Sequence, residues 1–152
     1  MFRFLFTTIH KLRRCWKWLL QQEGTPAKRA RGIAVGVFTG CFPFFGFQTL
    51  LGIFLARLVR GNHLLAVLGT WISNPFTYVP IYWFNYRIGS YLIGRGTTEG
   101  EFVGFSTHAL WNQSWTFTSR VILGSSFVGV ACGTFTGFLL YLILKIRSDR
   151  YK

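Results

Sequence analysis

The sequence predicts an all-α, polytopic membrane protein in which two helical segments are broken by proline and a third, rich in glycine, runs unbroken. Three observations carry this reading. Half of the 152 residues are hydrophobic (51%) and 19% are aromatic, with only 14% charged, a balance that leaves too little polar surface for a soluble domain of this size. Three stretches, Gly32 to Ala56, Gly61 to Tyr86 and Val121 to Leu144, contain no Lys, Arg, Asp or Glu, and each exceeds the roughly 20 residues that cross about 30 Å of hydrocarbon. Pro43 and Pro75 stand near the centres of the first two.

Residues 1–23 read as a basic, amphipathic, interfacial helix. Phe4, Leu5, Ile9, Leu12, Trp16, Leu19 and Leu20 recur at three- and four-residue intervals, as one face of a helix does. Lys11, Arg13, Arg14 and Lys17 interrupt any uncharged h-region, so this is not a secretory signal and nothing is expected to be removed. Trp16 and Trp18 suit the headgroup level. Thr25 and Pro26 then fit the N-cap and first position of the next helix.

The membrane domain is placed at 24–145. Its first apolar segment divides at CFPFFG, where Pro43 removes a backbone donor and Gly46 permits a left-handed or unwound residue. The second divides at Asn74-Pro75, with Pro80 read as a further interruption. Two successive segments broken in this way point to broken or re-entrant helices, although a pair of kinked spanning helices gives the same pattern. Residues 95–118 are mixed in composition, and Trp111 and Trp115 suit a short helix at the interface. The third segment has no proline. Its Gly129, Gly133 and Gly137, like Gly32, Gly36 and Gly40 in the first, form small-residue faces that let helices approach closely. A basic tail, 146–152, closes the chain.

The formal net charge is +13. The basic residues flank the apolar segments and do not form one stripe, so the implied partner is anionic membrane lipid and not nucleic acid. Each Lys or Arg near such a leaflet contributes about 1 kcal/mol. Both ends are basic, and short basic ends prefer the cytoplasm; both termini are therefore expected inside, with an even number of crossings. Three simple spans would separate the termini, so one segment should turn back as a hairpin. Cys15, Cys41 and Cys132 are odd in number and form no disulfide framework, and no metal-ligand spacing or cofactor motif is present. No carboxylate lies inside an apolar segment, and His10, His63 and His108 are placed at or beyond segment ends, so no acid–base pair and no enzyme is expected.

The segments do offer hydrogen bonding. Gln48, Thr49, Ser73, Asn74, Thr77 and Asn85 cluster at or after the breaks, and an unpaired polar group in hydrocarbon costs several kcal/mol. The breaks, Pro43, Gly46, Pro75 and Pro80, can be purely structural. They can also open helix N-termini to an anion, with Gln48, Thr49, Asn74, Thr77, Asn85 and Arg87 as binding residues and Arg57 and Arg60 on the flanks.

The Gly-Val-Phe with Pro43, Gly46, Gln48 and Thr49, then Asn62, then Asn74, Pro75 and Thr77 in Ser-Asn-Pro-Phe-Thr, then Tyr86 and Gly89, resemble the bacterial family catalogued as domain of unknown function 2062, over roughly residues 24–145. The resemblance implies a protein integral to the bacterial inner membrane and hints at cell-envelope or lipid-linked sugar work. The function expected is a small transporter or flippase-like protein for an anionic lipid or lipid-linked precursor, possible as a homo-oligomer. The alternative is a non-catalytic scaffold for an envelope-biosynthesis enzyme, held by the basic arm and the glycine faces.

Overall fold

A computed structural model describes residues 24–44, 46–94 and 107–149, with side chains from 114 onward in the last stretch. The described residues are helical, without strands: α1 (Pro26–Gly40), α2 (Phe47–Leu58), α3 (His63–Thr70), α4 (Tyr78–Ile93) and α5 (Thr107–Asp149). The amphipathic helix expected at 1–23 lies outside the described residues.

The start of α1 follows from its sequence. Thr25 Oγ1 accepts from the Lys28 amide at 3.3 Å, and Pro26 occupies the first turn, where its missing N–H is no loss. The helix stops at Gly40, and after the Pro43 break Gly46, at φ 82°, caps α2. At its other end α2 closes with Arg60 left-handed at φ 52°. The Gly61 amide reaches the Ala56 carbonyl at 2.7 Å and the Arg60 amide reaches Arg57 at 3.2 Å, a Schellman pair that satisfies the last turn. Glycine is needed one residue later than the left-handed position because Gly61 lies against the backbone of Gly32.

These contacts make α1 and α2 a hairpin. The Asn62 amide donates to Lys28 at 2.9 Å, so the chain leaves α2 at the level where α1 began. Asn62 then caps α3, accepting from the Leu65 amide at 3.1 Å. From there α3 runs parallel to α1: Gly32 meets Asn62, Gly36 meets Ala66 and Gly69, and Gly40 meets Thr70. Across residues 71–77 the chain breaks a second time, beside the first break, and α4 continues beyond it. α5 returns antiparallel to both, its Gly137 and Gly133 against Ala30 and Ala34 of α1, its Gly124 against Asn85, and its Arg120 against Gly89 of α4. The small-residue faces are therefore seams inside one chain.

Two expectations change. Pro80 does not interrupt a helix. It stands third in α4, where the first four N–H groups lack an intrahelical acceptor and a missing donor costs nothing. The short interfacial helix around Trp111 and Trp115 is instead the beginning of α5, because no glycine or proline separates Thr107 from Val121.

α1, α2 and α3 hold 15, 12 and 8 residues; at about 1.5 Å per residue even the longest reaches roughly 22 Å, short of the bilayer core. Among the described residues one helix, Ser114–Asp149, is long and apolar enough to cross a membrane.

Candidate functional site at the helix breaks

The polarity of the molecule is inverted where the breaks meet. Gln48, Thr70, Ser73, Asn85 and Ser125 are buried, while Phe47, Leu50, Phe54, Trp71, Phe76, Val79, Phe127 and Phe135 are exposed. Residues at the start of α2 tie to the end of α3: Ser73 Oγ donates to Gln48 Oε1 at 3.2 Å, and the Thr49 and Thr70 hydroxyls share a hydrogen bond of 3.3 Å. Both threonine and serine also use the preceding helical turn, Thr70 Oγ1 donating to Val67 at 2.7 Å and Ser73 Oγ to Thr70 at 3.3 Å.

Beyond Gly40 the chain leaves carbonyls that no longer find a helical donor, and α4 supplies donors for them. Asn85 Nδ2 donates to the Cys41 carbonyl at 2.8 Å and to Ser125 Oγ at 2.9 Å, and the Tyr82 hydroxyl donates to the Phe42 carbonyl at 3.2 Å. Because a carbonyl can only accept, Cys41 fixes which way the Asn85 amide faces. Its Oδ1 is buried and accepts nothing from the described residues.

Asn74 behaves differently. It is exposed, and its Oδ1 accepts from the amides of Phe76 and Thr77 at 3.0 and 3.2 Å, while Thr77 Oγ1 accepts from the Asn74 amide at 2.9 Å and donates to Ile72 at 2.7 Å. This closed ring repairs the backbone around Pro75. Asn74→Ala should cost about 1 kcal/mol, the usual loss for a capping side chain, seen as a modest drop in thermal melting. A loss as large as that expected for Asn85→Ala would show that the turn is not self-contained.

The breaks thus bring together Gln48, Thr49 and Ser73, with Asn85 on the Cys41 carbonyl of the first break; Asn74 and Thr77 serve their own turn. The three cations read as flanks stand away from the breaks. Arg57 and Arg60 close the far end of α2, and Arg87 is exposed with its guanidinium 5.3 Å from the Trp83 ring centroid. A different arginine enters the interior. Arg120 is 6% exposed; its Nη1 donates to the Tyr86 hydroxyl at 3.0 Å, and the guanidinium sits 5.8 Å from the Tyr86 centroid. Arg120 escapes sequence reasoning because an arginine bordering an apolar stretch reads as a flank. What covers it is α4, whose Gly89 only the packed structure puts against the Arg120 backbone.

Among the described residues no group of His, Cys, Asp and Glu could hold a metal ion. Among the described residues the arrangement is all-helical, with one helix able to cross a membrane, two broken segments and a polar interior under an apolar exterior. The chain belongs to the family described as uncharacterized protein conserved in bacteria, DUF2062, whose model matches residues 9–152. Among curated proteins and among solved structures, none matches it.

Proposed function

We propose that this is a polytopic inner-membrane protein that binds the phosphate-bearing head group of anionic lipid and moves it along the polar breaks, as a flippase does. The carrying observation is the inverted polarity: buried hydroxyls and amides at the breaks inside a shell of exposed phenylalanine, leucine and tryptophan. Such an exterior requires lipid or a second apolar surface to cover it, and buried polar groups near unwound backbone are where broken-helix transporters hold their substrates. A homo-oligomer would cover part of the same exterior.

The chain path supports a topology of two crossings. α1 and α2 form a re-entrant hairpin, α3 and α4 together make a broken crossing, and α5 makes a continuous one. Lys28, Arg31, Arg57, Arg60, Lys145 and Arg147 all gather at the end where the hairpin opens, the cytoplasmic end by the bias of basic residues. The scaffold alternative drew on the glycine faces, which are consumed within the chain.

Reconstituted protein should move a fluorescent anionic lipid between leaflets faster than a zwitterionic one, read by quenching from outside. In the same vesicles, single cysteines at Phe2 and Tyr151, with Cys15, Cys41 and Cys132 replaced by serine, should be labelled from one side together. Labelling from opposite sides would remove the two-crossing topology, and equal rates to empty vesicles would remove transport.

A further inference from the structure

We propose that Arg120, with Tyr86 and Ser90, forms an oxyanion site for a phosphate group at the end of the molecule opposite its basic face. Arg120 is more than nine-tenths buried, and Asp149, the one acid among the described residues, stands at the far end of the same helix. A desolvated cation is costly to leave without an opposite charge. The Tyr86 hydroxyl occupies one nitrogen, Nη1, and leaves Nε buried without a partner among the described residues.

A second buried group on the adjoining helix is also unused. Ser90 is 7% exposed and its Oγ makes no hydrogen bond among the described residues, although a helical serine ordinarily donates to the preceding turn. Ser90 lies four residues from Tyr86, on the same face of α4, and follows Gly89, which rests on the backbone of Arg120. A planar guanidinium nitrogen on α5 and a hydroxyl on α4, both buried and both unpaired among the described residues, thus belong to the stretch where Gly89 brings the two helices together. That is the donor set a phosphate oxygen needs: a charged N–H fork with a neutral hydroxyl beside it.

Depth decides where the phosphate would come from. Val121 to Leu144 is free of charge and gives roughly 36 Å of helix at 1.5 Å per residue. With Lys145 at one headgroup layer, Arg120 stands at the other. Exposed Tyr91 and Trp115 stand at that end of α4 and α5, as aromatic side chains do at a membrane interface. The phosphate is that of a lipid in the non-cytoplasmic leaflet, or free phosphate reaching the same groups from water. The lipid source rests on the membrane reading above; the oxyanion site itself does not.

The test measures binding to detergent-purified full-length protein by thermal melting and by titration with phosphatidylglycerol, phosphatidylcholine and inorganic phosphate. Wild-type protein should bind phosphatidylglycerol at least about tenfold more tightly than phosphatidylcholine, and Arg120→Gln should abolish that preference, since a hydrogen-bonded charge is worth roughly ten- to a hundredfold. Arg120→Lys should retain part of it, having the charge without the fork. Ser90→Ala removes an oxygen that bonds nothing in the fold, so it should leave melting unchanged and weaken phosphatidylglycerol by about threefold. It remains informative if Arg120→Gln fails to fold. Inorganic phosphate that competes with the lipid marks a site for the phosphate itself; inorganic phosphate that saturates it alone, with phosphatidylglycerol no better than phosphatidylcholine, marks free phosphate as the ligand.

Unchanged preference in both Arg120→Gln and Ser90→Ala overturns the site, while leaving lipid transport standing if translocation persists. A site that binds as expected in a protein that moves no lipid overturns transport alone. If Glu99→Gln or Glu101→Gln lowers melting as much as Arg120→Gln does, the counter-charge belongs to the chain and the oxyanion site falls.

Discussion

Gly36→Leu should leave no folded protein in detergent extracts, with loss of the monodisperse species and of cooperative melting. A Cβ at this position already overlaps the Ala66 carbonyl and comes within 2.8 Å of Gly69 Cα. The obstruction is backbone on a facing helix, which cannot rotate aside as a side chain can. Overpacking a core by a methylene or two typically costs 1–3 kcal/mol; four extra carbons against a fixed backbone should exceed about 3 kcal/mol. Gly133→Leu meets the carbonyl of Ala34 and should fail in the same way. Wild-type melting and oligomer size in both variants would mean that the α1–α3 and α1–α5 seams are not as close as described.

Asn85→Ala is the second large effect. Its amide holds two groups on two other elements, the Cys41 carbonyl at 2.8 Å and Ser125 Oγ at 2.9 Å. Truncation strands a buried acceptor at the end of α1, loses a bond to α5 and opens a void in a residue that is 0% exposed. An unpaired buried polar group costs about 1–3 kcal/mol and the void adds to it, so the total should reach roughly 3–4 kcal/mol, several times the cost expected for Asn74→Ala. Asn85→Asp, which has no N–H to offer the Cys41 carbonyl, should be no better. If Asn85→Ala melts within a degree or two of wild type, the amide is not what closes the break, and Tyr82 would have to carry it alone.

Much of this arrangement can be read from the chain by local rules. Pro43, Gly46 and Asn74-Pro75 locate both breaks because proline removes a donor wherever it stands inside a helix. Thr25-Pro26 locates the start of α1 for a similarly local reason. Pro80 misleads, since the same residue is harmless in a first turn, and whether it lies there depends on where the previous break ends. Asn85 is legible as a polar group that must find a partner, but not as the donor that serves a carbonyl 44 residues earlier; that pairing is tertiary. Arg57, Arg60 and Arg87 are equally cationic in sequence and end up away from the breaks. Arg120 looks like a flank and lies inside, because α4 packs over it, its Gly89 against the Arg120 backbone.

The hairpin of α1 and α2 also bears on how the chain is made. Under the proposed topology it is synthesised before α5, the described helix that can cross the bilayer by itself, and neither of its halves is long enough to be held there alone. What anchors it comes afterwards: α3 along the Gly32–Gly40 face, then the Gly129–Gly137 face of α5, some ninety residues downstream. An apolar hairpin that leaves the ribosome ahead of α3 and α5 is thus secured only after them. Insertion must run against the order of synthesis, with the early hairpin waiting at the membrane surface until the C-terminal helix has crossed.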